Sequence, residues 1–131
     1  MPYIPDEHRR GIEEGIEPTN TSGELNFRIT KQLNRYIVAH GLNYDTVNSA
    51  VGVLAAIQLR SFPQFSGEEG DLFETIRGFV RDHMRGQVTI TGAVIGVLEC
   101  AKLELYARVV RPYEDVKKML NGDVYSVNIL P

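Results

Sequence analysis

A short grammar is spelled twice in this chain. Gly23-Glu24-Leu25 opens a stretch whose apolar residues Leu25, Ile29, Leu33, Tyr36 and Ile37 recur at spacings of three and four. Gly70-Asp71-Leu72 opens another, with Leu72, Phe73, Ile76, Phe79, Val80, His83 and Met84 in a similar rhythm. That period marks an amphipathic helix. Each is followed by a second helical stripe built around Gly-Val-Leu. The first carries Val47, Ala50, Val51, Leu54 and Ile57; the other carries Val94, Val97, Leu98, Ala101, Leu105 and Val109. The copies come into register if the connection between the two helices is three residues shorter in the second. One such helix pair leaves an apolar face bare, whereas two packed together cover both. Each buried Leu- or Ile-sized side chain contributes about 1.5–3 kcal/mol. The expected fold class is therefore all-α: a helical bundle of two related hairpins, with a short N-terminal helix and an extended C-terminal tail. A rival arrangement spreads the hairpins between subunits, because small α-hairpins often complete their cores by dimerising. Gly52 and Gly96, inside their helices, are expected to permit close helix approach.

The punctuation between these stripes sets the boundaries. Thr21-Ser22-Gly23-Glu24 fits a capping box, Asn43 or Asp45 suits a second helix start, and Thr89 or Thr91 a later one. Gly41, Pro63, Gly86 and Pro112 are placed to stop helices, and Asn121-Gly122 to end a short amphipathic segment from about Tyr113. Glu7 to Ile16 reads as a helix of about two turns weakened by Gly11 and Gly15. The expectation is one domain over 1–131: an arm at 1–22, one hairpin at 23–62, another at 70–112, and a short helix with an extended tail at 113–131. A length of 131 residues suits a single core, and 43% hydrophobic with 24% charged residues argues against disorder. A net charge of −3 gives no basic excess for a nucleic-acid backbone, so nucleic acid is not an expected partner. No stretch approaches the roughly 20 apolar residues that span a bilayer, and the start lacks the basic and apolar runs of a secretion signal. A soluble protein of the cytoplasm is expected. Cys100 is the single cysteine; lying next to an apolar stripe, it reads as a buried, inert thiol.

Chemistry-bearing residues are few. Glu99, Lys102 and Tyr106 share one side of their helix, and Glu104, Arg108 and Arg111 another; Glu–Lys and Glu–Arg pairs at these spacings contribute about 0.2–0.5 kcal/mol each. Read functionally, Glu99 and Glu104 join Glu114, Asp115 and Asp123 as carboxylates for Mg²⁺, although no HExxH or DxDxDG pattern is present. Arg77, Arg81 and Arg85 form one basic ridge, and Arg28, Lys31 and Arg35 a second. Brought together, such ridges clamp phosphates; apart, they are solvated helix faces. His8, His40 and His83 are scattered, and His83, on an inner stripe, reads as a satisfied core residue. No P-loop, Gly-x-Gly-x-x-Gly or Gly-x-Ser-x-Gly is present, and no cofactor is implied. The most binding-like segment runs from Tyr113-Glu114-Asp115 to Tyr125, dense in tyrosine and acid, and Tyr106 lies shortly before it.

Gly23-Glu24-Leu25-Asn26, the run from Gly96 to Tyr106, Arg108, Pro112-Tyr113-Glu114-Asp115 and Asn121 to Tyr125 resemble a family of small uncharacterised proteins of bacteriophages and bacteria, a domain of unknown function. The Met1-Pro2-Tyr3-Ile4 opening fits it too. Its members are shorter, with one hairpin where this chain carries two. The resemblance implies a phage or prophage setting inside a bacterial host cell, and brings no established activity. Three functions are expected in order. The first is a non-enzymatic accessory protein, a homodimer, that binds and blocks a host protein with Tyr106, Tyr113, Glu114, Asp115 and Tyr125. The second is a binder that sequesters a nucleotide signal with Arg77, Arg81 and Arg85, alongside Glu99, Lys102 and Tyr106. The third is a metal-dependent nucleotide phosphohydrolase.

Overall fold

A computed structural model describes residues 4–13, 18–61, 63–87 and 91–125. The helices are α1 (Asp6–Glu13), α2 (Ser22–His40), α3 (Tyr44–Gln58), α4 (Gly67–Met84), α5 (Gly92–Leu105) and α6 (Arg111–Asn121), with a π turn at Tyr106–Val110 joining the last two. No strand occurs among the described residues. The all-α bundle of two related units is what the stripes require. The residues of the expected tail from 126 onward lie outside the described residues.

Each unit starts as its sequence dictates. At α2 the capping box closes: the Glu24 amide donates to Thr21 Oγ1 (3.1 Å), and Glu24 Oε1 accepts from the amides of Thr21 (3.0 Å) and Asn20 (2.8 Å). Asn43 caps α3 through the Thr46 amide (2.9 Å), and Thr91 caps α5 through the Val94 amide (3.3 Å). Of the alternatives open in the sequence, Asn43 and Thr91 are the ones used. α3 ends in a Schellman turn, with Arg60 at φ 55 and the Ser61 amide reaching back to the Ala56 carbonyl (2.9 Å).

The duplication is visible in the core. Leu25, Ile29 and Leu33 of α2 are buried, and so are their counterparts Leu72, Ile76 and Val80 of α4. Ala50, Val53, Leu54 and Ile57 of α3 match Val94, Val97, Leu98 and Ala101 of α5, again all buried. Yet the two helices of a unit hardly pack on each other. α2 and α3 rest chiefly on α4 and α5, and α4 and α5 have no substantial contact. The arms of each unit therefore grip the other unit, and the units interlock.

Polar contacts reveal an approximate two-fold relation between them. The start of α4 meets the end of α2 through Glu68 and His40 (3.2 Å). The end of α4 meets the start of α2 through His83 Nδ1 and Thr19 Oγ1 (2.8 Å), and through Arg85 and Asn20. Gln58 and Lys102 occupy matching positions in α3 and α5, and they touch one another: Lys102 Nζ donates to Gln58 Oε1 (3.1 Å). Equivalent residues meet only beside a symmetry axis. The interlocked core thus closes within one chain.

Three expectations are corrected. Gly52 and Gly96 do not mediate close approach, since a methyl group added at either meets nothing within 4 Å. Cys100 is exposed instead of buried. Pro112 does not close the helix: α5, the π turn and α6 run on without a break from Gly92 to Asn121. A proline has no amide proton for the carbonyl one turn before it and crowds that carbonyl with its ring. The turn immediately upstream widens to the π pattern, with the Arg111 amide bonded to the Tyr106 carbonyl, and the helix continues.

Candidate functional site

Two surfaces are built by this arrangement. The first is α6. Its sequence is strongly amphipathic, with Tyr113, Val116 and Leu120 at helical spacing, yet among the described residues its substantial packing is on the π turn behind it. None of its residues is buried; Leu120 is 71% and Met119 86% exposed. Of the residues expected at an interface, Tyr106, Glu114 and Asp115 are exposed and Tyr113 is half-buried beneath Lys117, whose Nζ lies 5.7 Å from its ring centre. Tyr125 is also exposed, its amide bonded to Asp123 (3.0 Å). These groups share one projecting segment. The first unit has no counterpart to it, because the Arg60 turn and Pro63 end α3 where the second unit carries on.

The second surface is a groove of about 460 Å³ between α2 and the α5–π segment. Phe27, Leu33 and Ile37 from one side and Leu105 and Val109 from the other form its apolar walls. Arg9, Lys31 and Arg108 stand along the rim, with Thr30, Asn34 and Glu104 between them. α2 reaches this position because its opposite side is held by the core, and α1 brings Arg9. The main-chain carbonyl of Ile12, at the end of α1, accepts from Arg28 Nη2 (3.1 Å), and Ile12 itself is fully buried. Asn26, also buried, accepts from the Thr30 hydroxyl (3.0 Å) and so fixes Thr30 at the groove.

The sequence-derived ligand residues lie elsewhere. Arg77 pairs with Glu74 (3.3 Å) and lies beside the segment from Pro63 to Gly67, while Arg81 approaches the same carboxylate (3.9 Å) and Arg85 holds Asn20. Arg28, Lys31 and Arg35 line a hollow together with Phe79 and Asp82 of α4. Arg35 and Lys31 both pair with Glu13 (3.0 and 3.7 Å), which ties α1 to α2. Glu99 and Lys102 form a small network with Gln58 near the two-fold axis: Gln58 Nε2 donates to Glu99 Oε1 (2.8 Å), and Lys102 lies 3.1 Å from the same carboxylate. The Gln58 amide, then the Lys102 ammonium, hold the Glu99 carboxyl below the usual range. Tyr106 is not part of that network. Among the described residues, no three His, Cys, Asp or Glu side chains stand close enough to share a metal ion, so Glu99, Glu104, Glu114 and Asp115 form no cluster. Sequence reasoning missed Arg9, Thr30 and Asn34. The i, i+4 pairing of Asn26 with Thr30 was the one local sign that this side of α2 is specialised.

Fold and surfaces together define a class: a duplicated, interlocked helical bundle with a projecting amphipathic helix, in which no described helix is long and apolar enough to cross a membrane. The chain belongs to the DUF6899 family, a domain of unknown function, which matches it twice, over residues 1–66 and 64–124. Each interlocked unit is thus one copy of the family domain. Comparison with curated proteins and with solved structures finds no match.

Proposed function

We propose that this is a non-enzymatic accessory protein of phage type, acting in the cytoplasm of a bacterial host by occupying a host protein with α6. The observation that carries this reading is a helix with an apolar stripe and, among the described residues, no substantial packing partner beyond the π turn that it continues. In a water-soluble setting, such a face costs free energy until something covers it, and helix-in-groove docking uses i, i+3, i+7 anchors of the kind that Tyr113, Val116 and Leu120 supply. Glu114 and Asp115, next to the stripe in sequence, and Tyr125, just beyond the helix, would supply the polar rim of such a contact. Pairing of two copies through the same face is the homodimeric form of the reading. It is not needed to complete the core, which one chain already closes.

A photo-crosslinking residue at position 116 tests this in host cells. The expected product is a discrete adduct with one host protein, which the purified full-length chain then binds in a one-to-one complex that Leu120→Asp weakens at least tenfold. Adducts only with a second copy of the chain would replace the host partner by self-association. No adduct above that of a crosslinker at exposed Asp82 would overturn the role of α6.

A further inference from the structure

We propose that the groove between α2 and the π turn is a binding site for a nucleoside monophosphate, independent of the protein contact assigned to α6. Three observations converge on this ligand class. Its volume, about 460 Å³, lies within the range of small-molecule sites. Its walls, with Phe27, Leu33 and Val109 among them, are apolar and suit the faces of a planar ring. Its rim carries three cations, Arg9, Lys31 and Arg108, beside the single carboxylate of Glu104, and arginine forks match phosphate oxygens in bidentate fashion.

The rim cations are held ready. Arg9 pairs with Asp6 (2.9 Å), Lys31 with Glu13 (3.7 Å) and Arg108 with Glu104 (2.9 Å). All three pairs are partly open to solvent, and exposed ion pairs are weak enough to exchange a carboxylate for an incoming phosphate dianion. The π turn contributes geometry: it carries both Arg108 and Val109, the one cation and the one wall residue that sit nearest the start of α6. Widened turns of this kind recur at functional sites.

The polar groups between the walls separate a nucleotide from a simple amphiphile. Asn34 offers two donors and an acceptor, Thr30 an acceptor beyond its bond to Asn26, and Glu104 two acceptors. A hydrocarbon chain would strip water from these groups and give nothing back, which is costly. A base edge satisfies them. The ligand is thus oriented with its phosphate toward the cations of the rim, its ring between the apolar walls and its base edge toward Asn34.

Calorimetric titration of the full-length protein with the four ribonucleoside 5′-monophosphates tests the site. At least one should bind saturably, with the matching nucleoside and inorganic phosphate each at least tenfold weaker. Arg108→Gln, at an exposed side chain, and Lys31→Gln, at a half-buried one, should each weaken binding at least tenfold while leaving the helical circular dichroism unchanged. Arg81→Gln, on the far ridge, and Val116→Asp, on α6, should leave it unaltered. Absence of saturable binding of all four up to millimolar concentration would overturn the proposal. So would tighter binding of decanoate, or an equal loss in Arg81→Gln. A loss in Val116→Asp would place the ligand on the projecting helix and dismiss the groove.

Discussion

Single residues in this chain often do something other than what their type suggests. Gly52 and Gly96 stand at matching places in the two units, and both open onto free space. They impose the entropy cost of glycine within a helix without the close packing that usually offsets it. Gly52→Ala and Gly96→Ala are therefore expected to stabilise the protein by about 0.5–1 kcal/mol each, nearly additively, in urea-unfolding experiments. A destabilisation by either would show that something else occupies that space. His83 is the opposite case, a half-buried group whose surroundings weaken its hold on a proton. Burial holds its imidazole below the ordinary 6.5; Thr19 and Glu24 work against that shift, and Arg85 and Arg28 add to it. Because the folded value is the lower one, the unfolded chain takes up the proton first as pH falls. The associated stability is complete above about 6.5 and declines as pH drops through the folded value. Unfolding free energies measured along a pH series should show this decline in the native protein and a flatter profile in His83→Gln. Identical profiles would remove His83 as the source.

Whole helices were more legible than single side chains, and for a physical reason. Start signals act locally: Thr21, Asn43 and Thr91 each bond an amide three residues on, so the sequence alone nearly places them. Apolar periodicity likewise identified the buried stripes of α2 to α5. Stops were less reliable. Pro112 looked like an end because proline disrupts the bonds behind it, but a single π turn absorbs that disruption and leaves the helix running into α6. Cys100 and Ala56 hold matching positions, yet one is exposed and the other 6% exposed; the equivalence of the sequences conceals which side of each helix is covered. The groove was invisible at this level. Arg9, Asn34 and Arg108 come from α1, α2 and the π turn, with no spacing to link them, whereas Arg77, Arg81 and Arg85 stand out in the sequence because they share one helix.

At the scale of the molecule, the governing fact is that each unit packs on the other in preference to itself. A peptide covering residues 1–62 carries α1, α2 and α3, and the apolar stripes of α2 and α3 have little to hold them to each other. It is expected to be largely unfolded alone, or to associate with itself, and so is a peptide covering 63–131. Mixed at equal concentration, the two should regain the helical circular dichroism and the cooperative unfolding of the intact chain. Native-like folding of either peptide as a monomer would contradict the interlocked arrangement. The same fact reaches back to synthesis. When a ribosome completes α5, α2 and α3 have emerged with bare oily stripes while α4 and α5 are still leaving the exit tunnel, and at about 5–20 residues per second that interval lasts for seconds. During those seconds the nascent first half faces a choice between waiting for its own second half and clasping the half-made chain from a neighbouring ribosome. The eight-residue connection 59–66 between α3 and α4 holds the rightful mate at high local concentration once it appears, which favours closure within one chain over exchange with a neighbour.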